Sequence, residues 1–199
     1  MTASIGETLA QYKIIPVLVL EDLESGLKRC ELLCECGLPV AEITFRTKAA
    51  ESVIREASRR FPEMFLGAGT VLNTADLHRA FDAGAKFAVA PGFNPTVVRE
   101  ALKCGYAFAP GICTPSEIEQ AYELGCRFFK FFPAEAAGGI KMLKSIAAPY
   151  KHLGIRFMPT GGVNPGNITS YLGFSKIRAC GGSWMVKGDL VKTGQFDKI

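Results

Sequence analysis

The chain has 199 residues, 48% of them hydrophobic, with 23 Lys and Arg against 19 Asp and Glu for a formal net charge of +4. This is enough to bury one substantial core, it is short for two separate domains, and the scattered charge has no block that would mark a nucleic-acid-binding tail. No stretch reaches the ~20 apolar residues of a membrane span and no early segment has the form of a secretion signal, so one cytoplasmic domain over residues 1–199 is expected.

After a helical segment within residues 1–12, short apolar runs recur along the chain. KIIPVLVL starts at Lys13, VAEITF at Val40, FLGAGTV at Phe65 and KFAVAPG at Lys86. YAFAPGI follows from Tyr106, RFFKFFP from Arg127, IRFMPTGG from Ile155 and KIRACGGSWM from Lys176. Each reads as a strand. Segments of helical spacing separate them. In ESGLKRCELLCECG, Leu27, Cys30, Leu33 and Cys34 share a face and Gly37 is a stop. In TPSEIEQAYELG, Thr114 caps, Pro115 takes the first helical position, Glu117 completes a capping box and Gly125 ends the helix.

KFAVAPGFNP and YAFAPGICTP match almost position by position, which marks a repeated unit of one strand and one helix. Alternation of helices with near-continuous apolar strands implies a parallel sheet covered by helices. Eight units favour a single (β/α)8 TIM barrel, with an open doubly wound sheet as the second reading. After the eighth strand only VKGDLVKTGQFDKI remains, so the C-terminal helix is expected to be short or truncated.

The seven cysteines include no CxxC pair and the histidines number two, His78 and His152. The thiols therefore read as reduced, mostly buried small residues, and no metal site or cofactor is expected.

Chemistry in such barrels sits where strands lead into helices. On the second strand, period-two geometry groups Glu42, Thr44 and Arg46 on one face; on the sixth it groups Phe128, Lys130 and Phe132. A lysine between phenylalanines has a plain reading, in which its stem lies on apolar surface and its amine reaches water. It also has a chemical one, in which burial favours the neutral, nucleophilic amine. Glu42 and Arg46 alone would read as a rim ion pair, and Thr70 as a turn residue. Gly161, Gly162, Gly181 and Gly182 read as tight turns, yet they follow strands seven and eight, where barrels often bind phosphate. A desolvated lysine, a carboxylate, an arginine and a phosphate cradle together suit imine chemistry on a phosphorylated keto acid.

With EITFR, GAGTVLN, APGFNP, PGICTPSE, FKFFPAEAAGG, PTGGVNPGN and GGSW, the sequence resembles the class I aldolases for 2-dehydro-3-deoxy-6-phosphogluconate (KDPG) and 4-hydroxy-2-oxoglutarate (KHG) over nearly its whole length. The resemblance implies Lys130 as the Schiff-base residue and Glu42 as general acid and base. It implies that Arg46 and Thr70 hold the pyruvyl carboxylate, that Pro91 and Phe132 line that pocket, and that Thr160 contacts the hydroxyls. Gly161, Gly162, Gly182 and Ser183 would hold the phosphate. It further implies a homotrimer and the aldol cleavage step of the Entner–Doudoroff route. An aldolase of the 6-phosphogalactonate epimer is the alternative within the family. Outside it stand a phosphate-binding barrel without imine chemistry and a non-catalytic sugar-phosphate binder.

Overall fold

The computed structural model describes residues 5–186. The expected C-terminal helix falls after residue 186, outside the described residues. The N-terminal segment contains helix α1 (Ile5–Tyr12), which leads into β1 (Ile14–Leu18). Strand and helix then alternate through α2 (Leu23–Glu35), β2 (Val40–Thr44), α3 (Ala50–Arg60), β3 (Phe65–Gly69), α4 (Thr74–Asp82), β4 (Phe87–Val89) and α5 (Pro95–Cys104). The second half runs through β5 (Phe108–Ala109), β6 (Gly111–Ile112), α6 (Pro115–Glu123), β7 (Phe128–Phe131), α7 (Gly139–Ala147), β8 (Arg156–Pro159), α8 (Ile168–Leu172) and β9 (Cys180–Gly182).

Gly37, the expected stop of α2, takes a left-handed φ of 73° just past its end, and Asp22, which was not among the sequence candidates, caps the start by accepting from the Ser25 amide. At α6 both halves of the Thr114–Glu117 capping box are formed, with Pro115 in the first turn and Gly125 left-handed beyond the helix.

Every strand pairing is parallel. Six strands form one sheet in the order β5-β4-β3-β2-β1-β9, and three form another in the order β6-β7-β8. The fifth expected strand is thus divided into β5 and β6, and the division falls at Pro110. Proline has no N–H to give to a ladder, but its carbonyl still accepts from the Lys130 amide at 2.9 Å. Two isolated parallel bridges, Phe157 with Ile177 and Thr160 with Gly181, link β8 to the segment that contains β9. The result is a curled α/β fold of parallel strands with helices between them.

One buried cluster explains how the fold positions polar groups. Leu9 of α1 packs with Ile15, Val40, Phe87, Phe128 and Met158. Side chains two residues apart share a face of a strand. Val40 is followed at that spacing by Glu42, Phe128 by Lys130 and Met158 by Thr160. The apolar layer therefore floors a polar layer one step nearer the carboxyl ends of β2, β7 and β8.

Candidate active site

Lys130 is 4% exposed and Glu42 0%, and Lys130 Nζ donates to Glu42 Oε1 at 2.8 Å. Taking either charge out of water alone would be costly, so each makes the other tolerable. The pair spans residues 88 apart in sequence. Glu42 Oε2 is buried and has no hydrogen-bond partner in the protein, which leaves one carboxylate oxygen uncommitted beside the amine.

The neighbouring strand makes the pair possible. A Cβ on Gly69 would lie 2.1 Å from Glu42 Oε1, so only glycine leaves that carboxylate its place. Gly69 was not among the sequence candidates; the available signal is that glycine inside a strand marks close approach of another group. Thr70 follows at φ 60°, a left-handed conformation that costs a β-branched residue about 1–3 kcal/mol. Pro91 packs against the strand beside the amine: a Cβ on Gly111, the β6 partner of Lys130, would lie 2.2 Å from the Pro91 carbonyl.

Phe132 presents its ring 5.7 Å from Lys130 Nζ. Phe128, expected to flank the amine as well, packs under α1, where a Cβ on Gly6 would meet its ring at 2.9 Å. Arg46 stands exposed in the turn after β2, and the carboxylate of Glu42 pairs with Lys130 rather than with it. Thr44 turns its hydroxyl to the Leu18 carbonyl at 3.1 Å and ties β2 to β1.

Thr160 is 6% exposed and its Oγ1 has no partner in the protein. The bridge to Gly181 sets the PTGG and GGSW loops side by side. Gly161 and Gly162 take φ values of 100° and 82°, which other residues adopt only with strain. Gly182 is buried under Trp184, whose ring would stand 1.7 Å from an added Cβ, and Ser183 is exposed at the head of a single 3-10 turn, Trp184–Val186.

A brace between these loops was not legible beforehand. The Ala134 and Glu135 amides donate to the carbonyls of Thr160 and Gly161, both at 2.9 Å. The Glu135 carboxylate accepts from the hydroxyl of Tyr171, a fully buried side chain of α8. Burial first, then this bond and the charge of Glu135, hold the Tyr171 phenol well above its usual range. The strand that carries Lys130 is thus fastened to the glycine loop after β8.

The described residues bring together one set of metal-ligand type away from the strand ends, His78, Glu100 and Cys104 on α4 and α5, with ligand atoms within 4.8 Å. These groups already bond one another, at 3.1 Å for His78 with Glu100 and 3.5 Å for Cys104 with Glu100.

Comparison with known proteins gives a consistent result. Residues 5–199 match the aldolase family described as KDPG and KHG aldolase. A 2-dehydro-3-deoxy-phosphogluconate aldolase of Haemophilus influenzae is 42% identical over 198 residues, covering 100% of this chain and 92% of that protein. A crystal structure of KDPG aldolase from Legionella pneumophila, with pyruvate captured at low pH as a covalent carbinolamine intermediate, superposes with a TM-score of 0.93 at 35% identity, covering 100% of this chain and 95% of that one. The 2-keto-3-deoxy-6-phosphogluconate aldolase of Zymomonas mobilis, solved with 3-phosphoglycerate, gives a TM-score of 0.88 at 34% identity, with 98% and 94% covered.

Proposed function

Because the chain belongs to the KDPG and KHG aldolase family, we propose that it is a class I aldolase, a lyase that cleaves KDPG to pyruvate and D-glyceraldehyde 3-phosphate. The buried Lys130–Glu42 pair is the observation that carries this reading. KHG, which would yield pyruvate and glyoxylate, is the second substrate.

The reaction follows from the pair. Glu42 Oε1 takes a proton from Lys130 Nζ, and the freed amine adds to the ketone carbon of the keto acid. The carbinolamine loses water, with the departing hydroxyl protonated by Glu42, and leaves a cationic imine. That imine accepts the electrons of the C3–C4 bond as the C4 hydroxyl gives its proton to Glu42, so the aldehyde departs and an enamine remains. Protonation at C3 and hydrolysis release pyruvate and restore the amine. Glu42 has one oxygen on the amine and one unpartnered, which suits a group that must both take and return protons. Phe132 and the apolar floor keep water away from the cation and strengthen the electrostatics of each step.

For the substrate, Arg46 and Thr70 receive the carboxylate, Pro91 and Phe132 wall the pyruvyl pocket, and Thr160 offers its unpartnered hydroxyl to the sugar-acid hydroxyls. Gly161, Gly162, Gly182 and Ser183 receive the phosphate through backbone amides and a hydroxyl. The pairing of Thr160 with Gly181 supports a single cradle built from both loops.

We also read the two sheets as one closed eight-stranded barrel forming a single domain over residues 1–199. Only Pro110 separates β5, an edge of the first sheet, from β6, an edge of the second, and the bridges from β8 toward β9 meet the other edge. The family resemblance adds a cytoplasmic homotrimer; among the described residues no helix is long and apolar enough to cross a membrane.

The test is a coupled assay of pyruvate release from KDPG, its 6-phosphogalactonate epimer and KHG under identical conditions. Faster turnover of KDPG is expected; faster turnover of the galactonate epimer would reverse the substrate assignment, and release from none would remove the activity.

A further inference from the structure

The end of the strands opposite Lys130 holds a second concentration of charge. A cavity of about 510 Å³ lies between α1 and the starts of β7 and β8, and its walls include Arg127, Arg156, Arg178 and one carboxylate, Glu7. Adjacent chain segments supply the arginines. The Arg156 amide donates to the Arg127 carbonyl at 2.8 Å, and the Arg178 amide donates to the Phe157 carbonyl at 3.0 Å. None of the three guanidiniums forms an ion pair among the described residues.

The three differ in what they already bind. Arg127 stacks 3.6 Å from the Tyr122 ring centroid and caps the carbonyls of Tyr122 and Cys126, so its role in the fold is accounted for. Arg156 gives Nη1 to the carbonyl of its own neighbour Ile155, while its Nε is buried with no partner. Arg178 has no side-chain hydrogen bond at all among the described residues. A guanidinium cannot shed its proton to escape such a position. Lys176, close by, has its amine held below the usual value by burial first and then by the positive charges of Arg156 and Lys151.

The walls also leave room. Gly105, Gly125 and Gly154 border the cavity in left-handed turns, and an added Cβ on any of them would meet nothing within 4 Å. The volume falls within the ~300–1,000 Å³ common for small-molecule sites. Two guanidinium forks with open donors match the paired oxygens of carboxylates and phosphates.

We propose that this cavity binds a small dianion, a phosphate monoester or a dicarboxylate, through Arg156 and Arg178, at a site separate from the one built on Lys130. The anion supplies acceptors for Arg178 and for the Nε of Arg156, which have none among the described residues, and adds negative charge beside them.

Phenylglyoxal labelling of the whole protein, mapped by peptide mass spectrometry, reads each arginine locally. It is run at constant ionic strength in chloride, in inorganic phosphate and in succinate, with exposed Arg99 as a surface control and Arg46 reporting on the other site. Arg156 and Arg178 are expected to label in chloride and to lose most of that labelling in one or both dianions while Arg99 is unchanged. The arm that protects identifies the chemistry, phosphate or dicarboxylate. Protection confined to Arg46, or labelling of Arg178 and Arg156 that neither dianion alters, would overturn the proposal. Absence of labelling in chloride would overturn it too, because it would mean that solutes do not reach these groups. Arg178→Gln gives a second readout: with no hydrogen bond to lose, it should fold as the wild type does and show a smaller anion-dependent rise in melting temperature. An equal rise contradicts the site.

Discussion

Two ion-pair systems in this protein have the same contact distance and opposite meanings. Lys130 and Glu42 meet at 2.8 Å with almost no exposure. On the outer helices, Glu51 holds Arg55 and Arg79 at 2.8 Å each, with the arginine side chains about half exposed. Water around the outer network screens it and takes over when it breaks, so its contribution is small. Around the inner pair there is little water to take over, so either partner left alone is strained and chemically available. Distance alone says little about an ion pair; surroundings decide whether it fastens a surface or holds a reagent.

The two pairs should differ most when the inner lysine is replaced. Lys130→Met is expected to abolish pyruvate release in the coupled assay while the protein still binds phosphate-bearing ligands, because the nucleophile is lost and the glycine loops are intact. Glu42→Gln keeps the size and loses the proton traffic, and a ~10²–10⁴-fold fall in kcat is expected. Unchanged turnover in that variant would remove Glu42 from the proton transfers.

Stability should follow the same contrast. Lys130→Met strands the Glu42 carboxylate and should cost about 3–5 kcal/mol at neutral pH by denaturant titration, and adding Glu42→Gln should recover much of it. Glu51→Gln on the surface should cost only about 0.2–1 kcal/mol, and less in high salt. The Arg79 and Arg55 bonds hold the Glu51 carboxyl below its ordinary 4.5. Its contribution is therefore present above that value and is lost as pH falls through the lower folded value.

Buried groups without a charged partner give a third signal, confined to alkaline pH. Burial pushes the thiols of Cys30 and Cys180 from 9.0 up to about 12. A raised folded value means that their contribution is complete below pH 9 and declines as pH climbs from there toward 12. Each thiol can contribute a slope of at most ~1.4 kcal/mol per pH unit. Replacing both with alanine should flatten that alkaline decline in a melting series, and an unaltered decline would assign it elsewhere.

The same division governs what could be read from the sequence. Strand alternation put Glu42 and Lys130 on defined faces, and capping residues marked the ends of α2 and α6, because those features depend on neighbours a few positions away. Period-two spacing says which face a side chain takes and nothing about which residue 88 positions off will meet it. Taken alone, the shared strand face offers Arg46 as a rim partner for Glu42, and the direct contact with Lys130 is visible only in the fold. Gly69 and the Tyr171–Glu135 brace were hidden for the same reason, since each is defined by a contact between distant segments. The split of the fifth strand was foreseeable in principle: Pro110 stands in the run, and a missing N–H interrupts a ladder. The specific tasks given to Thr70, Pro91 and Ser183 rest on resemblance, because no local pattern distinguishes them from turn residues.

The most direct measurement is reduction of the protein with borohydride in the presence of pyruvate, followed by peptide mass spectrometry. A reduced pyruvyl adduct is expected on the peptide that carries Lys130, absent without pyruvate and absent in Lys130→Met. A folded protein that binds sugar phosphates but yields no adduct there would return Lys130 to a structural role and contradict the covalent mechanism.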